Sequence, residues 1–235
     1  MSVTLFPLTH LLSSTQTAAH HRCQHLVHLS FRAFIRCMRT LGILTCEVIG
    51  QEKLQSGANC LIVANHPSLI DIVFIIAMLP KARCVVKRAV WSNPFMAGVV
   101  WATGYIPNDD PVRFIEACIA CLGRGESLVV FPESTRTVPG QPLQLRRGAA
   151  SVIAKSRRPF VPIAISTRPT TLTKADKWYQ IPASRPHFTI VVGDSIDPAP
   201  AIVDGEASSL ASRRINRLLR SVLIQGVELH ASHSR

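Results

Sequence analysis

From about position 60 onward, short apolar runs rich in β-branched residues alternate with stretches of helical periodicity, and this alternation restricts the fold more than any other property of the chain. The β-rich runs lie at 60–64, 83–86, 127–131, 160–165 and 187–192. Helical stretches lie at 69–78, 94–101, 111–122 and 148–156, and a last one at 206–227. Parallel strands need a crossover between them, and a helix of a few turns supplies it. The expected architecture is α/β, a single domain with a mixed, largely parallel sheet flanked by helices. With 235 residues and 47% hydrophobic content, the chain can bury one large core.

Residues 1–15 carry no clear pattern and read as frayed, whereas 16–44 have helical periodicity. Leu26, Leu29, Phe34, Met38 and Leu41 are its apolar positions, and Arg22, Arg32, Arg36 and Arg39 give it a basic side. Such a helix either lies among the headgroups of an anionic bilayer or docks on the core with its arginines in water. The expected division is a membrane-associating helical segment at 1–45, followed by the α/β domain at 46–235.

The formal charge of +12 calls for an anionic partner: nucleic acid, an anionic membrane surface or an acidic protein. Aromatic residues make up 6% of the chain and none are interleaved with a basic stretch, so no nucleic-acid partner is expected. No apolar run reaches the ~18 to 20 residues that span hydrocarbon. The run at 61–80 contains Asn65, His66 and Asp71, and that at 89–106 is broken by Ser92, Asn93, Pro94 and Thr103. With no basic and apolar leader followed by a cleavage site, a peripheral attachment is expected.

The seven cysteines are odd in number and irregularly spaced, which fits reduced, buried thiols in a cytosolic compartment. Cys118 and Cys121 form a CxxC without a second pair, and His20, His21, His25 and His28 have only partial ligand spacing on a helix. No metal site is expected from either.

Chemistry concentrates where the run Leu61-Ile-Val-Ala leaves a buried strand and enters the polar turn Asn65-His66-Pro-Ser68, ahead of a very apolar helix. Asp71 can fold back to one imidazole nitrogen of His66, fixing the tautomer and leaving the other nitrogen as a general base. Ser68 is placed to cap the helix. A second buried run opens the same way, Val129-Val-Phe131-Pro132-Glu133-Ser134-Thr135-Arg136-Thr137. Two polar turns at strand ends of one α/β sheet meet at its carboxyl edge, where ligands bind.

These blocks resemble those of the PlsC-type glycerolipid acyltransferase family. Its NHxxxxD block is matched by Asn65, His66 and Asp71, and its FPEGTR block by Phe131, Pro132, Glu133, Thr135 and Arg136, with Ser134 in place of Gly. A late Val-Pro resembles Val161 and Pro162, and a lysine ahead of a Pro-containing helix resembles Lys87. The resemblance implies acyl transfer from an acyl-carrier-protein or coenzyme A thioester to a lysophospholipid-like hydroxyl, with no other cofactor. His66 would be the catalytic base and Asp71 its orienter. Asn65, Lys87, Glu133, Ser134, Thr135 and Arg136 would shape the substrate site, Arg136 being suited to a phosphate. The implied location is peripheral, on the cytoplasmic face of the inner (plasma) membrane.

Two departures stand out. Where the family has a basic residue after a Gly and two apolar positions, this chain reads Gly104-Tyr-Ile-Pro-Asn108-Asp109-Asp110-Pro111, which would repel a phosphate rather than hold it. Asp110 can cap a helix that starts at Pro111. The run keeps open an acceptor without phosphate, a glycolipid or polyene-type product. Ser134 disfavours positive φ, so its turn is expected to depart slightly from the Gly form. The competing readings are a catalytically silent lipid- or carrier-binding protein of the same fold, and a hydrolase, for which no GxSxG is present. The polar, Pro-rich loop at 167–186 carries Lys174, Lys177, Trp178 and Tyr179, and is either surface or an excursion near the substrate.

Overall fold

The computed structural model describes residues 5–11, 13–55, 60–94, 96–177 and 179–231. Seven strands form one sheet: β1 (Thr45–Ile49), β2 (Leu61–Ala64), β3 (Arg83–Val86), β4 (Ile106–Pro107), β5 (Leu128–Val130), β6 (Phe160–Arg168) and β7 (His187–Val192). Their spatial order is β1-β7-β6-β2-β5-β3-β4, and every pair is parallel except β6 with β7. The sheet is therefore mixed and largely parallel, as the alternation of runs requires. Its centre is β2, paired in register with β5 on one side (Ile62 with Val129) and β6 on the other (Ile62 with Val161).

The helices are α1 (Leu5–Leu11), α2 (Gln16–Thr40), α3 (Glu52–Gln55), α4 (Asp71–Met78), α5 (Arg88–Trp91), α6 (Ala97–Thr103), α7 (Pro111–Gly123), α8 (Arg147–Ser156) and α9 (Ser208–Ala231). They cover both faces of the sheet. Strand alternation sends Ile62 and Ala64 into a core with α1, α2, α4 and α6, and Leu61 and Val63 into a second core with α7, α8 and α9. Burial on both faces is why β2 reads as a continuous apolar run. Helix α9 lies so close to β6 that a Cβ at Gly226 would come within 2.6 Å of the Ala164 Cβ.

Several expectations change. Part of the stretch read as frayed is helix α1, whose Phe6 is buried and whose Thr9 hydroxyl lies 2.9 Å from the Cys23 sulfur. The short strands β1 and β4 have no counterpart among the predicted runs, because five residues without a buried face, or a strand of only two, give no periodic signal. The helix expected at 94–101 is α6, shifted to Ala97–Thr103, and the short α5 ahead of it has no expected counterpart. Helix α4 begins at Asp71 rather than near Leu69, and Ser68 does not cap it; the cap position is Ile70, with no side-chain bond.

Helix α2 docks on the core. Cys23 and Val27 are buried, with Leu26, Ile35 and Met38 partly so, while Leu29, Phe34 and Leu41 face outward with the four arginines. Its first half is fastened by polar contacts: Gln24 donates to the Thr103 carbonyl at 2.9 Å, and the Nδ1–H of His28 donates to the Ile76 carbonyl at 2.8 Å. The Nδ1 of His20 accepts from Arg83, whose guanidinium also bonds Glu126 and the Gly104 carbonyl. Burial, together with Arg83 and His10, lowers the His20 pKa to about 4, so this ring is neutral. Burial pushes Glu126 up, but the bonds from Arg83 and Arg124 together hold its carboxyl below the usual range. Among the described residues no helix is long and apolar enough to cross a membrane, and no cluster of His, Cys, Asp or Glu is arranged to hold a metal. The cysteines are free thiols, and burial pushes those of Cys118 and Cys121 up.

Candidate active site

Strands β2 and β5 run parallel and end side by side, so the turns that follow them meet at the carboxyl edge of the sheet. The first turn is anchored by Asn65. Its side-chain amide donates to the Ile165 carbonyl at 2.8 Å and its side-chain oxygen accepts the Ile165 N–H at 2.7 Å. This pair continues the β2–β6 ladder past Ala64 with a side chain in place of backbone. Asn65, expected in the substrate site, thus lies buried and fixes the point at which the chain leaves the sheet.

His66 follows, and its main chain is held on both sides by the second turn. Its N–H donates to Glu133 Oε1 at 2.7 Å, and its carbonyl accepts the Thr137 N–H at 2.7 Å. Glu133 is buried, and its two oxygens also accept the Thr137 hydroxyl at 2.9 and 2.8 Å. Burial raises the Glu133 pKa, while the bonds from His66 and Thr137 oppose the rise. The imidazole is oriented by two contacts: it stacks on Phe131, with ring centroids 4.3 Å apart, and its Nδ1–H donates to Asp71 Oδ2 at 2.9 Å. That bond leaves the Nε2 lone pair as the ring's acceptor, on a side chain that is 19% exposed.

Asp71 opens α4 with its side chain fully buried. Besides the imidazole, Oδ2 accepts the Ser68 N–H at 2.6 Å, whereas Oδ1 and the Ser68 hydroxyl have no hydrogen-bond partner among the described residues. Burial pushes the Asp71 pKa up to about 6, against the opposing pull of His66, the Ser68 N–H and Arg136. The site therefore offers an imidazole braced by a buried carboxylate that is ionised near neutral pH. Such a pair can take a proton from a hydroxyl and stabilise the imidazolium that results.

The remaining expected site residues are placed around this pair. Ser134 holds the turn with φ 57°, the left-handed conformation that favours Gly, so the expected departure from the Gly form does not occur. The turn closes through the Ser134 N–H and the Phe131 carbonyl, at 3.1 Å. Thr135 is half-buried beside it. Arg136 donates through one terminal nitrogen to the Leu172 and Thr173 carbonyls at 2.9 and 2.7 Å, joining the turn to the loop after β6. Lys87 stands exposed where β3 ends, just ahead of α5, outside the hydrogen bonds that tie His66, Asp71 and Glu133 together. Thr137 carries no sequence signal of its own beyond closing the same polar turn four positions after Glu133.

The acidic run is engaged elsewhere. Asp110 caps α7, accepting the Val112 and Arg113 N–H groups at 2.9 and 3.1 Å, and these bonds lower its pKa. Asp109 pairs with Arg88 at 3.7 Å.

The chain is 32% identical over 143 residues to a 1-acyl-sn-glycerol-3-phosphate acyltransferase of Helicobacter pylori (strain J99), a match covering 58% of this chain and 59% of that protein. It is 27% identical over 144 residues to the human 1-acyl-sn-glycerol-3-phosphate acyltransferase beta, covering 57% of this chain and 51% of the relative. The matches thus span about half the length of these curated relatives. The fold is similar to that of the crystal structure of the 1-acyl-sn-glycerophosphate (LPA) acyltransferase PlsC from Thermotoga maritima, with TM-score 0.68 and 20% identity over 94% of this chain and 86% of that one. The family model described as Acyltransferase matches residues 45–166, a stretch that takes in both strand-end turns and over half of the chain. The protein belongs to the Acyltransferase family.

Proposed function

We propose that the protein is an O-acyltransferase that moves a fatty acyl group from an acyl-carrier-protein or coenzyme A thioester to the hydroxyl of a lysophospholipid-type acceptor. The observation that carries this reading is the Nδ1–H of His66 donating to the buried Asp71 carboxylate, with the opposite ring nitrogen left as base. In the reaction, His66 Nε2 takes the hydroxyl proton as the alcohol oxygen attacks the thioester carbonyl. The tetrahedral intermediate collapses with cleavage of the C–S bond, and the proton passes from the imidazolium to the departing thiolate. No acyl-enzyme is needed. A lipid- or carrier-binding protein without activity would have no use for a base so oriented.

A phosphate-bearing acceptor is favoured over an uncharged glycolipid or polyene-type product. The curated relatives carry the name 1-acyl-sn-glycerol-3-phosphate acyltransferase, and Asp109 and Asp110 are occupied by Arg88 and by the α7 cap. The enzyme would work at an anionic membrane surface, peripherally and on the cytoplasmic face, with the exposed arginines of α2 turned to the lipid. The test is thiol release from acyl-CoA and from acyl-carrier protein with lysophosphatidic acid or an uncharged lyso-lipid. His66→Ala should lower turnover by at least ~10²-fold. A variant that keeps wild-type turnover would remove the reading.

A further inference from the structure

The loop between β6 and β7 is left aside by the mechanism, although the carboxyl end of β6 and the start of β7 put it at the edge of the sheet that carries His66. It is tied there: the Leu69 N–H donates to the Leu172 carbonyl at 3.0 Å, and Arg136 holds the Leu172 and Thr173 carbonyls. Further along, the loop turns large apolar groups outward, with Ile181 89% and Tyr179 61% exposed, and Leu69 beside the base is 45% exposed. Its cations Arg168, Lys174, Lys177 and Arg185 are exposed too. Its one carboxylate, Asp176, is turned back to accept the Thr173 N–H at 2.8 Å.

The end of α2 reaches the same edge. The Thr45 N–H donates to the Pro186 carbonyl at 2.9 Å, and the residues before it, Leu41 and Ile43, are exposed. Exposed bulky side chains set among cations, with no free carboxylate between them, match the two layers of an anionic bilayer surface: acyl chain below, phosphate above. An acidic protein would be served by the cations alone and would leave Ile181 in water.

We propose that the described residues of the loop between β6 and β7, 168–177 and 179–186, with Ile181 and Tyr179 at their outer side, are a membrane-docking element that seats the mouth of the His66 site on anionic lipid. The choice of partner rests on the acyl-transfer reading, in which the acceptor is itself a lipid. With the loop held by Arg136 and Leu69, docking delivers the acceptor hydroxyl next to the base rather than to a distant face.

The test is sedimentation of the full chain with vesicles of phosphatidylcholine alone and of phosphatidylcholine with phosphatidylglycerol. Ile181→Ser combined with Tyr179→Ser should lower partition into the anionic vesicles about tenfold or more, and Lys174→Ala with Lys177→Ala about fivefold per cation at low salt. Both positions of the first pair face water, so circular dichroism should be unchanged. Turnover on a lyso-acceptor dispersed as monomers should stay within about twofold, while turnover on acceptor presented in vesicles falls. Partition equal to wild type overturns the proposal, as does a variant that keeps vesicle binding but loses affinity for acyl-carrier protein. Failure of the wild type to transfer acyl groups to any acceptor would remove the catalytic reading instead, and vesicle partition would still be read independently.

Discussion

Replacing Asp71 with Asn should separate stability from activity. The carboxylate is fully buried, and its pKa rises from an ordinary 3.8 to about 6 because the charged form has lost its water. A carboxyl whose folded pKa is raised destabilises the fold whenever it is ionised. The penalty is absent below the unfolded value, grows as the pH rises from 3.8 and is complete above about 6. At ~1.4 kcal/mol per pH unit it comes to roughly 3 kcal/mol at neutral pH. Asn removes the charge and can keep its one oxygen where Oδ2 now accepts from both His66 and Ser68, but its NH2 then takes the partnerless Oδ1 position as a buried, unsatisfied donor, at about 1 kcal/mol. The net expectation at pH 7.5 is a gain of about 2 kcal/mol, shrinking to nothing or to a small loss near pH 4. Activity moves the other way. Without the anion the imidazolium is unsupported and the amide can favour the wrong tautomer, a loss of about 10³ to 10⁴ in turnover, or roughly 4 to 5.5 kcal/mol of barrier. Urea melts at both pH values and a thiol-release assay measure the two effects. A variant less stable than wild type by 1 kcal/mol at pH 7.5, or one with more than a tenth of wild-type turnover, would refute the reasoning.

Three further outcomes are expected. The wild-type kcat/KM should fall as the pH drops through about 6, because protonated Asp71 no longer supports the imidazolium; a pH–rate profile flat to pH 5 would contradict this. Glu133→Ala should lower turnover about 10- to 100-fold by loosening the His66 backbone and should destabilise the fold by about 1 to 3 kcal/mol, checked by the same assay and melts. Ser134→Gly should keep activity and raise stability by up to about 1 kcal/mol, since relief of a left-handed Ser is partly offset by the chain entropy of Gly; a loss of stability would mean that the Ser side chain is needed.

Much of this arrangement could be read from the residues. The five long β-rich runs are all strands, because each is apolar enough to be buried on both faces, and His66 with Asp71 meet as the turn between strand and helix suggests. Asp110 caps its helix as Pro111 at the next position indicates. What could not be read depends on partners far away in the chain. Nothing local distinguishes an Asn65 that contacts substrate from one that bonds Ile165, or an Arg136 aimed at a phosphate from one that holds loop carbonyls. Helix α1 leaves no mark in the sequence because a seven-residue helix has too few turns for periodicity, and its stability comes from packing on α2. Leu29, Phe34 and Leu41 belong to the apolar positions of 16–44 yet face out, since polar residues such as Gln24 and His28 take core positions by bonding carbonyls of other elements. Trp178 lies outside the described residues.

The bonds that shape the base join residues separated by 67 positions, His66 with Glu133, and by 100, Asn65 with Ile165. No short segment can preassemble such a centre, so it comes into being only with the late, slow stage of chain closure. During refolding from urea, helical ellipticity should return first and thiol release afterwards. A chain interrupted anywhere before β6 should be inert, however much secondary structure it regains.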